Sequence, residues 1–176
     1  YLALDCANGS SSVTAKKLFE KLGARVDMLS AEPDGTNINN KCGSTHMENL
    51  MAYVKEHGCD AGLAFDGDAD RCLAVDENGD LVVTIMSNLG FFHFAKREGI
   101  ETAATKVGDR YVLEKMLEKG YNIGGEQSGH IIFLDHATTG DGQLSGAKII
   151  EILVNSGKKM SELASVMESF PQLMLN

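Results

Sequence analysis

Ala61-Gly62-Leu63-Ala64-Phe65-Asp66-Gly67-Asp68-Ala69-Asp70-Arg71 runs an apolar stretch straight into three carboxylates at alternate positions. The first five residues read as a buried strand, and open α/β sheets collect their ligands just past such a strand's carboxyl end. At a separation of about 4 Å and an effective dielectric near 20, each carboxylate pair repels by roughly 4 kcal/mol. Arg71 offsets only part of that repulsion. A divalent cation would convert it into binding, and an all-oxygen donor set favours Mg²⁺. Magnesium beside a strand end points to phosphate chemistry. A solvated turn of Asp and Gly is the plain alternative. The strict alternation and the strand-end position favour Asp66, Asp68 and Asp70 as metal ligands.

Two sharper rivals share the pattern. An EF-hand loop also alternates Asp, and Glu77 would even supply its twelfth position. Its sixth position needs a sharp turn and a Gly, whereas this chain has Arg71 there. The flanks also read wrongly, because Cys72-Leu73-Ala74-Val75 is a strand and Asn78-Gly79 a hairpin turn. The EF-hand fails. A haloacid dehalogenase-like aspartyl phosphotransferase places an Asp-x-Asp pair after a buried strand and stays as the alternative, with Asp66 as the phosphorylated residue.

Working outward, 176 residues suffice for one ordinary domain or two small ones. A net charge of −9 argues against a nucleic-acid partner, which would need a basic face. No stretch is long and apolar enough for a membrane span, and no signal peptide is visible. Cys6, Cys42, Cys59 and Cys72 lack the paired spacing of a zinc site and read as reduced thiols of a cytoplasmic protein. The chain opens on a strand, Tyr1-Leu2-Ala3-Leu4, as a piece of a longer protein would.

One pattern recurs four times: an amphipathic helix, a terminal Gly, then an apolar strand. The first helix should bury Ala15, Leu18, Phe19 and Leu22 and stop at Gly23, with a strand over 24–29. The second should present Met47, Leu50, Met51 and Val54, open on a Thr45/Glu48 capping box and end at Gly58. A third spans 88–98 and ends at Gly99. A fourth spans 109–119, presents Leu113, Met116 and Leu117, and follows a strand over 103–107. Near the end, Asp141 should cap a helix with a stripe of Ile149, Ile152 and Leu153. A short helix begins at Ser161 and stops at Phe170-Pro171. This order predicts an α/β fold of two consecutive small three-layer domains with mixed, largely parallel sheets. The Asn78-Gly79 hairpin marks the boundary, giving a first domain over 1–81, which holds the three carboxylates, and a second over 82–176.

Gly124-Gly125-Glu126-Gln127-Ser128-Gly129-His130 is the second unusual segment. Glycines there let backbone, carboxylate, hydroxyl and imidazole approach a polyol closely. Glu126 and Ser128 could bind sugar hydroxyls. A Gly-rich turn is an equal alternative, and His130 taken alone would more often be a packed histidine. Gly108-Asp109-Arg110 opens a helix, where backbone donors and Arg110 could hold phosphate, although Asp109 serves equally well as a helix cap. Asn8-Gly9-Ser10-Ser11-Ser12 lacks the Gly-Lys-Ser/Thr ending of a phosphate loop and reads as a structural turn.

Assembled, these segments resemble the α-D-phosphohexomutase superfamily. The metal loop 66–71 and the sugar loop 125–130 both match, in order. So do Pro33-Asp34-Gly35-Thr36-Asn37-Ile38-Asn39, Cys42-Gly43-Ser44-Thr45-His46, Val107-Gly108-Asp109-Arg110-Tyr111-Val112 and Thr138-Thr139-Gly140-Asp141-Gly142. Gln127 favours the branch that acts on phosphorylated glucosamine. The resemblance implies four domains, with this chain as the second and third. It also implies a cytoplasmic isomerase that interconverts glucosamine 6-phosphate and glucosamine 1-phosphate through a phosphoserine and a bisphosphorylated sugar.

On that template Asp66, Asp68 and Asp70 bind Mg²⁺, whose remaining ligand is a phosphoserine oxygen. Arg71 steadies the transferring phosphate, Glu126 and Ser128 grip sugar hydroxyls, and His130 assists binding or proton transfer. Asp109 and Arg110 join the substrate-binding set. The partners implied are the phosphorylated amino sugar, the first and fourth domains and, in the full-length protein, a second copy. The phosphoserine loop belongs to the first domain and the main substrate-phosphate loop to the fourth, so this chain alone should be inactive. Asp80-Leu81-Val82-Val83-Thr84 runs directly into a strand where the resemblance implies an intervening helix. A non-catalytic sugar-phosphate-binding module is the remaining alternative.

Overall fold

A computed structural model of the chain describes residues 1–82, 88–168 and 170. Apolar runs separated by glycine-ended helices give the expected alternation: β1 (Leu2–Asp5), α1 (Ser11–Lys21), β2 (Val26–Leu29), α2 (Glu48–His57) and β3 (Ala61–Phe65). Two further strands follow, β4 (Cys72–Val75) and β5 (Leu81–Val82). They form one mixed five-stranded sheet in the order β2-β1-β3-β4-β5, parallel through its first three members and antiparallel thereafter. Asp5 pairs with Ala64, so β1 and β3 end side by side and the loops that follow them emerge together.

Pleating sends alternate residues to opposite faces. Leu2, Leu4, Leu63 and Phe65 pack with Ala15 and Phe19 of α1, whereas Ala3, Ala64, Leu73 and Val75 pack with Leu50 and Val54 of α2. Helices thus cover both faces, which is why β3 and β4 are apolar at every position.

The rest of the chain supplies α3 (Leu89–Arg97), α4 (Asp109–Lys119), β6 (Ile123–Gly125), β7 (Ile131–Phe133), α5 (Gly142–Ser156) and α6 (Met160–Ala164). Strands β6 and β7 form an antiparallel hairpin, on which Val112 and Met116 of α4 pack against Ile132. Ile150 of α5 and Met160 of α6 return to the α1 face of the first sheet and join its core. The division into 1–81 and 82–176 is therefore spanned by α5 and α6. The loop 126–130, which joins β6 to β7, meets the end of the loop after β3 through the bond from Cys72 N–H to Gly129 C=O and the bridge between Arg71 and His130.

Several local expectations differ from what forms. No strand occupies 103–107. Ala and Lys are poor strand residues, and no described strand offers that segment a ladder. Leu22, Leu117 and Ile152 are 57%, 62% and 52% exposed, because they lie past the helix end or off the buried stripe, which runs through Met116 and Ile150 instead. The Thr45/Glu48 capping box is absent: Gly43–Thr45 is a 3-10 turn, and Met47 precedes α2. Helix α6 runs from Met160 and stops at Ala164, short of Phe170. The Asn78-Gly79 turn joins β4 to β5, with the Asp76 carboxylate accepting from the backbone N–H groups of Asn78 and Asp80. Val83, Thr84 and Pro171 lie outside the described residues.

Candidate functional site

Chain direction alone places Asp66 at the mouth of the sheet, one residue beyond β3. The loop then turns tightly: Ala69 N–H donates to Asp66 C=O, and Arg71 N–H donates to Asp66 Oδ1 at 3.2 Å. Ala69 sits at φ 62°, an uncommon conformation for a residue with a side chain. These bonds bring the three carboxylates together. Asp66, Asp68 and Asp70 each offer an oxygen within 4.8 Å of the others. Arg71 Nε is 3.5 Å from Asp66 Oδ2 and 3.7 Å from Asp70 Oδ1, beyond hydrogen-bonding distance for a tight pair.

A divalent cation fits this cluster. Asp70 Oδ1 is buried and, among the described residues, accepts no hydrogen bond. A buried carboxylate oxygen without a partner is costly, and a cation satisfies it. Burial pushes the Asp66 carboxyl up from its ordinary 3.8 to about 6, with the neighbouring carboxylates adding to the rise and the Arg71 N–H opposing it. The folded chain therefore binds this proton more tightly than the unfolded chain does. In the absence of metal, stability contributed by Asp66 falls as pH rises from about 4 through 6 and is level above. Denaturation of metal-free wild type and Asp66→Asn at pH 4.5 and 7 should show a steeper loss with pH in wild type. Equal slopes would contradict the burial argument.

The loop 66–71 is held on three sides by glycine-rich backbone. Ser10 N–H donates to Gly67 C=O at 2.9 Å, Gly142 N–H to Ala69 C=O at 2.9 Å and Cys72 N–H to Gly129 C=O at 3.1 Å. An isolated bridge links Arg71 to His130. A Cβ on Gly9 would meet the Gly67 backbone, and one on Gly129 would lie 3.0 Å from the Cys72 carbonyl carbon. The loop 8–12 is thus a structural turn, as expected, with the added duty of backing the metal loop. Gly140 and Gly142 were part of a recognisable segment, but nothing in their spacing told which loop they would touch.

The loop 125–130 is equally well defined. Glu126 N–H donates to His130 C=O and Gly129 N–H to Glu126 C=O, closing the turn. Glu126 Oε1 accepts from Gly108 N–H at 2.7 Å, which sets the start of α4 against this loop and leaves Oε2 for another donor. Ser128 Oγ is buried and, among the described residues, has no hydrogen-bond partner. Asp109 does not cap α4: Gly108 occupies the cap, and the Asp109 carboxylate accepts from Arg110 N–H. The Arg110 guanidinium is exposed and turned to Glu114 at 2.8 Å, not toward the loops.

His130 is turned toward the acidic cluster. Its Nδ1 lies 3.0 Å from Asp70 Oδ2, its Nε2 accepts from Gly140 N–H at 3.1 Å, and the residue is 4% exposed. Both ring nitrogens thus have partners among the described residues.

The chain is similar to known proteins over nearly its whole length. The model for phosphoglucomutase/phosphomannomutase alpha/beta/alpha domain III matches residues 69–170, and that for domain II matches residues 1–79. The chain belongs to the phosphoglucomutase/phosphomannomutase family. Phosphoglucosamine mutases of Acetivibrio thermocellus and Clostridium tetani are each 54% identical to it over 99% of the chain, which covers 44% and 45% of their lengths. The chain spans less than half the length of these curated relatives. Their alignments run over 200 positions against 176 residues here, so the relatives carry residues without a counterpart in this chain.

Among solved structures, a phosphoglucomutase/phosphomannomutase family protein from Burkholderia thailandensis superposes with a TM-score of 0.85 at 28% identity, over 96% of this chain and 42% of its own. The N-acetylphosphoglucosamine mutase of Aspergillus fumigatus, solved with GlcNAc-6P and magnesium, superposes with a TM-score of 0.79 at 16% identity, over 97% of this chain and 49% of its own. The family match does not favour the aspartyl phosphotransferase. Among the described residues, no helix is long and apolar enough to cross a membrane.

Proposed function

We propose that the chain is the metal- and sugar-binding middle of a phosphoglucosamine mutase, with 1–81 carrying the metal loop and 82–176 the sugar loop. The observation that carries this reading is the direct joining of the Asp66/Asp68/Asp70 cluster to the loop 125–130 through Asp70 and His130. The 54% identity to phosphoglucosamine mutases supports phosphorylated glucosamine as the substrate class.

Asp66, Asp68 and Asp70 would hold Mg²⁺, which as a Lewis acid withdraws charge from a transferring phosphoryl group. The half-exposed Arg71 side chain, whose Nε lies near Asp66 and Asp70 without a close hydrogen bond to either, would lend its N–H donors to the same phosphate. Glu126, fixed at one oxygen by Gly108, and Ser128 would orient the sugar hydroxyls. Orientation matters because either phosphate of a bisphosphorylated sugar must be presented to the same metal. Four buried free thiols accord with a cytoplasmic setting.

The test is interconversion of glucosamine 6-phosphate and glucosamine 1-phosphate by the full-length protein, compared with the glucose and mannose phosphates. Preference for the amino sugar supports the reading, and preference for another hexose overturns it. The 176-residue chain alone should show no turnover, because a phosphoryl-donating serine lies outside it on this reading. Serine-dependent turnover by the isolated chain would contradict the assignment of domains.

A further inference from the structure

The metal cluster and the sugar loop meet at one side chain. His130 lies in the turn that holds Glu126, yet its ring points away from that turn and into the metal loop. Gly140 N–H can only donate, so Nε2 carries no hydrogen and the ring's single proton sits on Nδ1. That proton is donated to Asp70 Oδ2 at 3.0 Å. The other oxygen, Oδ1, is the buried atom that accepts nothing among the described residues. One oxygen of Asp70 is thereby tied down and the other is presented.

Packing fixes the ring in this orientation. A Cβ at Gly140 would lie 2.6 to 2.7 Å from three ring atoms, so the ring rests on bare backbone. The bridge from Arg71 to His130 and the bond from Cys72 N–H to Gly129 C=O hold the backbones at fixed separation. Metal-ligating side chains are commonly oriented by an outer partner of this kind, and loss of such a partner typically lowers metal affinity 10–100-fold.

We propose that His130 is a positioning residue for the third metal ligand: it orients Asp70 from the sugar loop, so that metal affinity depends on a residue outside the metal loop. The inference rests on the assignment of Asp66, Asp68 and Asp70 as the metal site.

The experiment is Mn²⁺ binding, followed by EPR, to the full-length protein without sugar. Wild type, His130→Ala, His130→Asn, Asp70→Asn and the double variant His130→Ala/Asp70→Asn are compared. Failure of wild type to bind would remove the metal site itself. Given binding, His130→Ala should weaken it by about 10–100-fold. His130→Asn, whose amide N–H₂ can replace the Nδ1 donor, should recover most of that loss. The double variant should be no weaker than Asp70→Asn, since the effect passes through Asp70. Unchanged affinity in His130→Ala overturns the proposal. So does an equal further loss in the Asp70→Asn background, which marks a general effect on the fold.

Discussion

Asp68→Asn in the full-length protein should lower Mg²⁺ affinity by more than about 100-fold, exceeding what loss of an outer partner costs. Turnover should fall with it by at least about 10²–10³-fold, as when a transition-state charge loses its preorganised partner. The fold should be untouched. Asp68 is the exposed member of the cluster, while Asp66 is buried and Asp70 is tied to His130. Removing its charge also relieves repulsion between carboxylates in the metal-free state. Calorimetric Mg²⁺ titration and thermal melting of the metal-free protein should therefore give opposite signs: binding lost, stability level or raised. Loss of both together would mean that Asp68 is structural, and unchanged Mg²⁺ affinity would leave a metal-independent binding module.

Gly142→Ala should destabilise the protein by about 2–3 kcal/mol, in the range for overpacking a filled site. The added methyl would collide with Arg71 C=O, lie 2.7 Å from its carbonyl carbon and 2.9 Å from Ala69 C=O. All three are backbone atoms of the metal loop, so none can swing aside as a side chain would. Gly142 N–H also donates to Ala69 C=O, and that bond would be lost as the two segments separate. Denaturant unfolding should report the loss, with reduced Mn²⁺ affinity beside it. An alanine at Gly157, which caps α5 with open space around its Cβ, is a useful contrast. Its cost should come only from the positive φ and should leave metal affinity alone. Equal metal affinity in wild type and Gly142→Ala would show that the contact does not shape the metal loop.

Much of this was legible in the residues. The run from Ala61 to Arg71 announced a buried strand ending in carboxylates, because burial on both faces demands apolar residues throughout and charge repulsion demands a partner. Gly58 and Gly120 marked helix ends because each takes the left-handed conformation. Helix faces were read less accurately: one residue shifts the direction around a helix by about 100°, which is how Leu117 and Ile152 came to be expected inside. The 103–107 strand failed because a strand depends on a neighbour that local sequence does not describe. The role of His130 was hidden for a similar reason. Its partners, Asp70 and Gly140, lie 60 and 10 positions away, and only the fold decides which way the ring turns.

The most direct test of the central claim, that metal loop and sugar loop form one preformed half-site, is an amide-resolved NMR titration. Mg²⁺ and then glucosamine 1-phosphate are added to wild type and to Asp68→Asn. The account predicts Mg²⁺ shifts at 66–71 that extend to His130 and Gly140, sugar shifts at 125–130, and loss of the Mg²⁺ shifts in the variant. Mg²⁺ shifts that persist in Asp68→Asn, or that leave 66–71 unmoved, would contradict it.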